Sequence, residues 1–345
     1  MHKSILIFVI CALLCVLLAL YSAPALAVAR EGFILWRDNV FPALLPFFVC
    51  AHIMQNCGAI HGRSRIALYG LSMVSGAPAG ARLAGSQQGD ATDMVASLNA
   101  VSPMFICGSF AAGMLGQPAL AWPILIAQLL SSALFLLLSN DTVEYILPMQ
   151  IAERPSFLQL LSEAIASGVT SLFSVGGTIM VFMALHALFD KTGILALITA
   201  PFSILLVKLG QPAELPYIIF SGLMEMVHGC KELVAAGLSL RLTATIGAFF
   251  FSFGGICIMA QSLTFTKLRI RRYLWKKLLQ GCLSGFLTYL LVPLFLPDAQ
   301  AVFSSLPPET IVQNAFSAAL IAGISLAAAS AVLLLSAIAG KRSAP

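Results

Sequence analysis

Two short stretches of the chain place polar residues beside glycine, and in the first stretch also beside proline, within otherwise apolar sequence. The first covers residues 75–82 and the second covers residues 222–232. The second stretch lies in a longer apolar segment that we also predict to be broken. In the first stretch, Pro78 removes a backbone donor and the glycines permit turns, which predicts a helix break whose free N–H and C=O groups face a solute. The alternative is close helix packing through small residues. The residues of these stretches that we predict to bind a solute are Ser75, Gly76, Pro78, Gly80, Arg82, Glu225, His228 and Lys231.

Arg82 and Lys231 are cations that follow Gly80 and Gly229 by two residues. A cation inside a membrane costs at least about 2–3 kcal/mol on insertion scales, so it usually has a partner or a substrate. Two such cations would suit a solute with two carboxylates. The alternatives are snorkelling of the side chains to the lipid headgroups and, for Lys231, an ion pair with a nearby acid such as Glu232.

Glu225 is an acid in an apolar setting, where the protonated form is favoured and proton coupling becomes possible. It could equally be a hydrogen-bond anchor or a cation ligand. His228 could share its helix face, although a lone histidine is more often a packing residue. Asn99 and Ser102 interrupt an otherwise uncharged segment and predict the opposite wall of a cavity. The alternative for this pair is interhelical hydrogen bonding, worth about 1 kcal/mol or less per contact. Their counterparts in the second half are Ser252, Gly254, Gly255 and Gln261.

The elements that hold these residues are apolar helices. The 345 residues are 59% hydrophobic and 10% charged, with a mean hydropathy of +0.96. A soluble domain could not bury that much apolar surface, and backbone inside lipid must satisfy its own hydrogen bonds in helices or a closed barrel. Alternating strands are not seen, so the sequence predicts an all-α polytopic membrane bundle of about eight spanning helices. Candidate spans lie near 5–28, 38–58, 94–115, 119–139, 165–190, 243–263, 278–297 and 311–338.

Two further apolar stretches, 66–92 and 194–236, are interrupted and do not form single predicted helices. Each follows a helix that ends at glycine and precedes an uncharged helix, which predicts an internal duplication. The strongest basic cluster, at 267–277, should be cytoplasmic by the positive-inside rule. The cluster lies on the cytoplasmic side if each interrupted stretch enters the membrane and returns on the same side. The two repeats are then inverted, as in many secondary transporters.

The predicted divisions of the chain follow from these spans. A first transmembrane helix at 1–32 precedes repeats at 33–140 and 165–297, which an amphipathic linker at 141–164 separates. A last helix with a basic tail occupies 298–345. We expect the first helix to be retained, although Ala25-Leu26-Ala27 resembles a signal-peptidase site.

Several classes of function are disfavoured by the composition and by missing motifs. The net charge of +5 sits mostly in juxtamembrane clusters, so it does not indicate nucleic-acid binding. The eight cysteines form no Cys-x-x-Cys pair and fall in apolar segments, which favours buried thiols over a disulfide or metal site. No phosphate-binding loop, zinc-protease motif or nucleophile elbow is present. We therefore expect no enzyme activity, no metal and no cofactor.

Several motifs occur in the order found in one known family. They are Trp36 with Val40–Phe48, Ser75–Arg82, Asn99 with Ser102–Gly108, and Gly222–Glu225 with Gly229. Together they resemble the sporulation integral membrane proteins of the YlbJ/SpoVV type, which are built on the gate or nucleoside-recognition domain. The resemblance covers roughly residues 33–265. The family commonly has an aromatic residue before the proline of its Ser-Gly-x-Pro motif, where this chain has Ala77.

The resemblance implies a role in endospore formation, with dipicolinic acid carried across the outer forespore membrane of a bacterium. From the residues and the resemblance together, we expect a secondary carrier or facilitator for a small anionic metabolite. The alternatives are a non-transporting membrane scaffold in spore-envelope assembly and a nucleoside-type carrier. The expected partners are the anionic solute and membrane lipid but no nucleic acid, and a homo-oligomer is left open.

Overall fold

The chain forms a bundle of apolar helices. A computed structural model describes residues 2–56, 69–70, 72–73, 75–78, 80–82, 89–139 and 156–296, and no strand occurs in these ranges. The helices are α1 (His2–Leu20), α2 (Ser22–Leu35), α3 (Phe41–Asn56), α4 (Thr92–Leu98), α5 (Phe105–Met114, a π-helix), α6 (Ala121–Leu137), α7 (Phe157–Lys191), α8 (Ile194–Lys208), α9 (Leu215–Met224), α10 (Met226–Ala235), α11 (Leu240–Phe253), α12 (Gly255–Leu263) and α13 (Ile270–Phe295). The prediction of an all-α membrane helical bundle is confirmed.

Several of these helices can cross a membrane by length and composition. Four qualify as single spans: Pro118–Leu137, Phe157–Lys191, Leu240–Leu263 and Ile270–Phe295. The bent pair Ser4–Leu20 and Ser22–Val40 makes a fifth if it is counted as one span. The described residues thus account for four or five of the roughly eight predicted spans. The predicted span at 311–338 and the division at 298–345 lie outside them.

The prediction of one continuous helix over 1–32 is wrong. α1 ends at Leu20 and is bent by 94° from the helical segment that follows it. Pro24 explains this position, because in a continuous helix its ring would collide with the carbonyl of Leu20, four residues earlier. The chain therefore restarts at Ser22, which places Pro24 in a first turn, where proline is tolerated.

The predicted linker over 141–164 extends too far. α7 already begins at Phe157, and its N-cap is Ser156. The hydroxyl of Ser156 accepts the backbone N–H of Gln159, and the Gln159 side chain accepts the N–H of Ser156. This capping box, Ser-x-x-Gln before an apolar run, is a helix-start signal that the sequence contains. Residues 140–155 of the predicted linker lie outside the described part of the chain.

Two helical hairpin turns and two broken helices interrupt the bundle. In the first half, the turn lies at Gly76 with a φ of 73°, and residues 99–104 separate α4 from α5. In the second half, the turn lies at Glu225 between α9 and α10, and Gly254 with a φ of 84° separates α11 from α12. The same order, a turn and then a broken helix, therefore occurs twice.

The predicted break in 66–92 is confirmed by the turn at Gly76. The predicted break in 194–236 is confirmed only for its second part, because Ile194–Lys208 forms a separate helix, α8. A turn at 209–214 then leads into α9. The interrupted segment is therefore the α9–α10 hairpin alone.

The two broken helices begin at opposite ends of α13. At the start of α13, Arg269 lies 2.9 Å from the carboxylate of Asp90, and its backbone N–H donates to Thr92 Oγ1 at 3.0 Å, where α4 starts. Near the other end, Arg241 at the start of α11 donates to Tyr289 O at 3.0 Å. α13 has 26 residues and is therefore about 39 Å long. An inverted repeat requires this arrangement, and the repeat itself stays a prediction.

We expect cysteines at the ends of the two broken helices to be labelled from opposite faces of the membrane. In a background without the eight native cysteines, Gln117→Cys follows α5 and Lys267→Cys follows α12. Because the basic cluster should be cytoplasmic, an impermeant maleimide should reach Lys267→Cys from inside and Gln117→Cys from outside. Ala236→Cys, just before α11, should label with Gln117→Cys. Labelling in intact cells and inverted vesicles measures this, and a shared face for Gln117 and Lys267 would mean that the repeats are parallel.

Candidate functional site

The breaks meet around one small cavity of about 50 Å³. Its polar lining consists of Ser75, Ser102, Glu225, Cys257 and Gln261. The rest of the wall is glycine backbone and apolar side chains, including residues of α7. Both hairpin turns and both broken helices therefore contribute to a single site, although its first and last polar residues, Ser75 and Gln261, are 186 positions apart in the sequence.

Four of the predicted site residues line this cavity: Ser75, Gly76, Ser102 and Glu225. Six others are not among the lining residues: Pro78, Gly80, Arg82, Asn99, His228 and Lys231. Gln261 was expected only as a counterpart in the second broken helix, and it does line the cavity. Cys257 was not predicted, although it lies in the segment Phe-Ser-Phe-Gly-Gly-Ile-Cys-Ile that matches 101–108.

The first hairpin turn packs its backbone directly on the first broken helix. Ala77 N–H donates to Ala100 O at 2.8 Å. A Cβ atom on Gly76 would lie 2.8 Å from Ser102 Cβ, and one on Gly80 would lie 2.7 Å from Leu98 Cβ. Both glycines therefore permit a close approach that a side chain would prevent. For Gly80, this is the packing alternative that the sequence left open.

Glu225 forms the second hairpin turn and caps the helix that follows it. Its backbone is extended, and its Oε2 atom accepts the backbone N–H of His228 at 2.7 Å. The Cys257 thiol donates to Oε1 at 3.7 Å. The side chain is only 2% exposed and still lines the cavity. The carboxylate therefore acts as a structural cap and is also the acidic group within reach of a solute.

Asn99 joins three parts of the structure at the first break. Its amide nitrogen donates to Ser262 Oγ at 2.6 Å and to the Tyr273 hydroxyl at 3.3 Å. Its side-chain oxygen accepts the N–H of Ala81 at 3.3 Å, and its backbone carbonyl accepts Lys277 Nζ at 2.5 Å. The structure therefore gives Asn99 interhelical hydrogen bonds, and it does not place Asn99 on the cavity wall.

Replacing Asn99 with leucine should lower the free energy of unfolding by about 1–3 kcal/mol, since buried groups such as the Ala81 N–H lose their partner while the branching of the side chain is kept. Asn56→Leu is the matched control, because the bond of the Asn56 amide to the described residues goes to His52 O, one turn earlier in the same helix. Thermal unfolding in detergent measures both. Equal effects of the two substitutions would contradict a special role for Asn99.

Arg82 and Lys231 contact other helices. Arg82 donates to Ser171 Oγ at 2.8 Å and to Ser167 Oγ at 3.2 Å, both on α7. Lys231 forms an ion pair with Glu31 of α2. The sequence allowed an ion pair for Lys231 but suggested Glu232 as the acid. Glu31 was missed because it lies 200 residues away in sequence.

A buried polar stripe on α13 was also missed. Its members are Tyr273, Lys277, Gln280, Ser284 and Thr288, each at most 1% exposed. They recur every three or four residues, which is the period of one helix face. Lys277 belongs by sequence to the basic cluster at 267–277, but the structure buries its side chain on this face, where it binds the carbonyl of Asn99.

An ion network fixes the start of the first broken helix. Asp93, 1% exposed, pairs with Arg272 and, at 2.7 Å, with Lys276. Partial burial acts to raise the pKa of Asp90, but hydrogen bonds from Thr92 and the positive charges of Arg269 and Arg272 together hold it below its ordinary value. These pairs tie the start of α4 to α13 and thereby position the break at Asn99.

Metal chemistry has no support among the described residues. Within them, no group of three or more His, Cys, Asp or Glu side chains could hold a metal ion. The cysteines that the structure describes are free thiols. The site combines one carboxylate, a thiol, two hydroxyls and an amide with one glycine and apolar side chains.

Comparison with known proteins gives one relative. No family model matches the chain, and no solved structure matches it. The chain is 24% identical over 331 residues to the protein called sporulation integral membrane protein YlbJ of Bacillus subtilis (strain 168), and the match covers 81% of each chain. This protein is an integral membrane helical bundle that is similar, over most of its length, to a sporulation integral membrane protein.

Proposed function

We propose that this protein is a secondary carrier or facilitator that moves a small anionic metabolite across the membrane. The observation that carries the proposal is the convergence of two hairpin turns and two broken helices on one cavity. Broken helices are costly inside lipid unless the freed backbone is buried in protein or lines a wet cavity. Transport gives such a cavity a purpose, whereas a scaffold would not need one.

Three helix N-termini support an anion as the solute. α5 begins at Phe105, α10 at Met226 and α12 at Gly255, and each of these helices has its first residues at or next to the cavity wall. The N-terminus of a helix carries about half a positive charge, which favours anionic groups. In secondary carriers, half-helix N-termini of this kind face the carboxylate of the substrate.

Glu225 sets a condition on that solute. A carboxylate solute beside the Glu225 carboxylate would be repelled unless one proton lies between the two groups. We therefore propose that the solute crosses together with a proton. Arg82, six residues beyond the turn at Gly76, would then act at an approach to the cavity, where it raises the local concentration of anions.

The size of the cavity adds a conformational step. About 50 Å³ holds a few water molecules, whereas sites for small ligands usually measure about 300 Å³ or more. Solute entry would therefore require the hairpin turns at Gly76 and Glu225 to separate. Alternating separation of the two turns, one toward each face of the membrane, would give the alternating access that a carrier needs.

The relative and the family resemblance supply the solute to test first. The name of the relative places that protein in sporulation, and the resemblance of the motifs points to dipicolinic acid. We propose dipicolinate as the solute and the outer forespore membrane as the location. Expression of the gene in the mother cell of a sporulating host is the matching observation in cells.

Purified protein in liposomes tests the proposal directly. Radiolabelled dipicolinate should enter protein-containing vesicles down its gradient without ATP, and excess unlabelled solute should accelerate exchange. Uridine serves as the comparison for a nucleoside-type carrier. Failure of folded protein to move dipicolinate, any other small dicarboxylate or uridine would leave the scaffold as the better explanation.

A further inference from the structure

A lysine amine lies at the point where the first broken helix is interrupted. Lys277 of α13 is 0% exposed, and its Nζ atom donates to the backbone carbonyl of Asn99 at 2.5 Å. Asn99 is the C-cap of α4, and the last carbonyls of a helix lack partners within the helix and carry partial negative charge. Val101, two residues further on, lines the cavity. The amine therefore binds the same segment of backbone that forms part of the cavity wall.

Each backbone carbonyl across this interruption accepts a hydrogen bond from the protein. A broken helix leaves carbonyls without their usual partners, and buried carbonyls need a donor. Among the donors to residues 98–102, Lys277 supplies the charged group and the others are neutral. The bonds are Ala100 N to Leu98 O at 2.9 Å, Lys277 Nζ to Asn99 O at 2.5 Å, Ala77 N to Ala100 O at 2.8 Å, Gln128 Nε2 to Val101 O at 2.7 Å and Phe105 N to Ser102 O at 3.1 Å.

A charge is not needed to satisfy a buried carbonyl. The neutral amide of Gln128 does so for Val101 O, and backbone N–H groups do so for other carbonyls of the break. A cation inside a membrane span is costly, so it usually has a partner or a role in function. Lys277 takes part in none of the ion pairs among the described residues, and Asp93, at the start of α4, pairs with other basic residues of α13. Within the described chain, the carbonyl end of α4 is therefore the group that balances the charge of Lys277.

Interrupted helices bind the coupling ion in many secondary carriers. There, unwound backbone carbonyls and the C-terminal ends of half-helices coordinate Na⁺ or H⁺. Lys277 brings a covalently attached amine to such a point of this chain, the C-terminal end of α4. We propose that Lys277 is a built-in cation that takes the place of a coupling sodium ion at the first break. The inference rests on the proposed function, because only a carrier has a coupling ion.

This assignment makes movement of the solute independent of sodium. The first hairpin turn packs on the break through the bond from Ala77 N–H to Ala100 O, and the Asn99 side chain accepts the N–H of Ala81. Because the attached amine stays at the break throughout, packing of the hairpin turn on the break needs no ion from solution. The fixed cation then belongs to the first half of the chain, and the proposed coupling proton belongs to Glu225 in the second half.

The salt dependence of dipicolinate uptake tests the proposal. Wild-type protein in proteoliposomes should take up dipicolinate at the same rate in sodium and in choline of equal ionic strength. Lys277→Ala opens the carbonyl of Asn99 to an ion from solution, so its uptake should be at least about fivefold faster in sodium than in choline. Gln280→Ala is the matched control, because it removes a neutral buried amide from the same face of α13 and should gain no sodium dependence. Equal uptake by Lys277→Ala in the two salts, or a sodium dependence of the wild type, overturns the proposal.

A second measurement does not depend on transport. The atoms that Lys277→Ala removes correspond to n-propylammonium, and n-propanol has the same length without the charge. Thermal unfolding in detergent should show that sodium and n-propylammonium stabilise Lys277→Ala, because a ligand that binds the folded state raises its stability, and that n-propanol and choline do not. Equal stabilisation by n-propylammonium and n-propanol, or by neither, overturns the proposal. Cation-specific stabilisation with no flux of any probe in the wild type supports the cation position and counts against the proposed carrier function.

Lys277→Gln keeps the test decisive if the alanine variant does not fold. Glutamine retains a neutral donor on a long side chain, so folded protein is expected in the membrane. Its uptake of dipicolinate in choline should fall at least about fivefold below that of the wild type, because the charge is lost. Uptake at the wild-type rate would show that a neutral donor suffices at Asn99 O, and it would overturn the proposal.

Discussion

Replacing Glu225 with glutamine should reduce dipicolinate flux in proteoliposomes at least about tenfold, because a charge-assisted hydrogen bond and a site for the shared proton are lost, which is worth roughly 1.5–3 kcal/mol. Glutamine keeps a side-chain oxygen that can accept the His228 N–H, so the cap of α10 survives. The amount of folded protein in the membrane should therefore stay at the wild-type level. Flux and fluorescence-detected size exclusion of the same preparation measure both quantities.

Two further variants separate the roles of this side chain. Glu225→Ala removes the cap as well as the acid, so we expect the same loss of flux together with a loss of about 1 kcal/mol of stability. Glu163→Gln neutralises an exposed acid on α7 and should leave flux unchanged. Full flux in Glu225→Gln would mean that the carboxylate is only a helix cap.

Replacing Gly229 with alanine should lower the yield of folded protein at least about fivefold, because the α9–α10 hairpin cannot close around a methyl group. A Cβ atom on Gly229 would lie 2.2 Å from the Cα atom of Gly222 on the facing arm, and Gly222 in turn faces the ring of Phe250. The obstacle is backbone and a buried ring, so no flexible side chain can move aside. Overpacking of this kind typically costs about 1–3 kcal/mol and sometimes more.

Gly177→Ala on α7 is the control for this substitution. A Cβ atom there would meet nothing within 4 Å, so removing a helix-interior glycine should be neutral or stabilising by about 0.5–1 kcal/mol. Membrane yield and thermal unfolding in detergent measure the two variants side by side. A wild-type yield of Gly229→Ala would show that the arms of the hairpin leave room for a methyl group between Gly229 and Gly222.

The turns and helix breaks of the chain could be predicted from the sequence because their causes are local. Proline and glycine mark the turn at Gly76 and the break at Gly254, and both breaks follow from backbone geometry at those residues. Two local signals were overlooked. Pro24 predicts the bend after α1, and Ser156 with Gln159 predicts the start of α7.

The partners of the polar residues could not be predicted in the same way. Lys277 adjoins a run of basic residues, but the helix face on which it lies turns its amine inward to the carbonyl of Asn99, 178 residues away in sequence. No sequence motif surrounds His186, and only the packing of α7 against the second hairpin brings its ring to that of His228. Ion pairs and hydrogen bonds between residues so far apart in the sequence depend on how the helices pack against each other.

The sequence alone determined that this chain is a helical membrane bundle with two interrupted segments, because hydropathy and helix breaking act over a few turns of chain. Only the tertiary structure decided which polar groups share the cavity and which hold helices together. The chain has many polar side chains of similar type, and the helix packing decides which of them meet. The distances between helices are not contained in any local sequence pattern. For this reason Glu225 lies in the cavity, while Asn99 and Lys231 bind neighbouring helices.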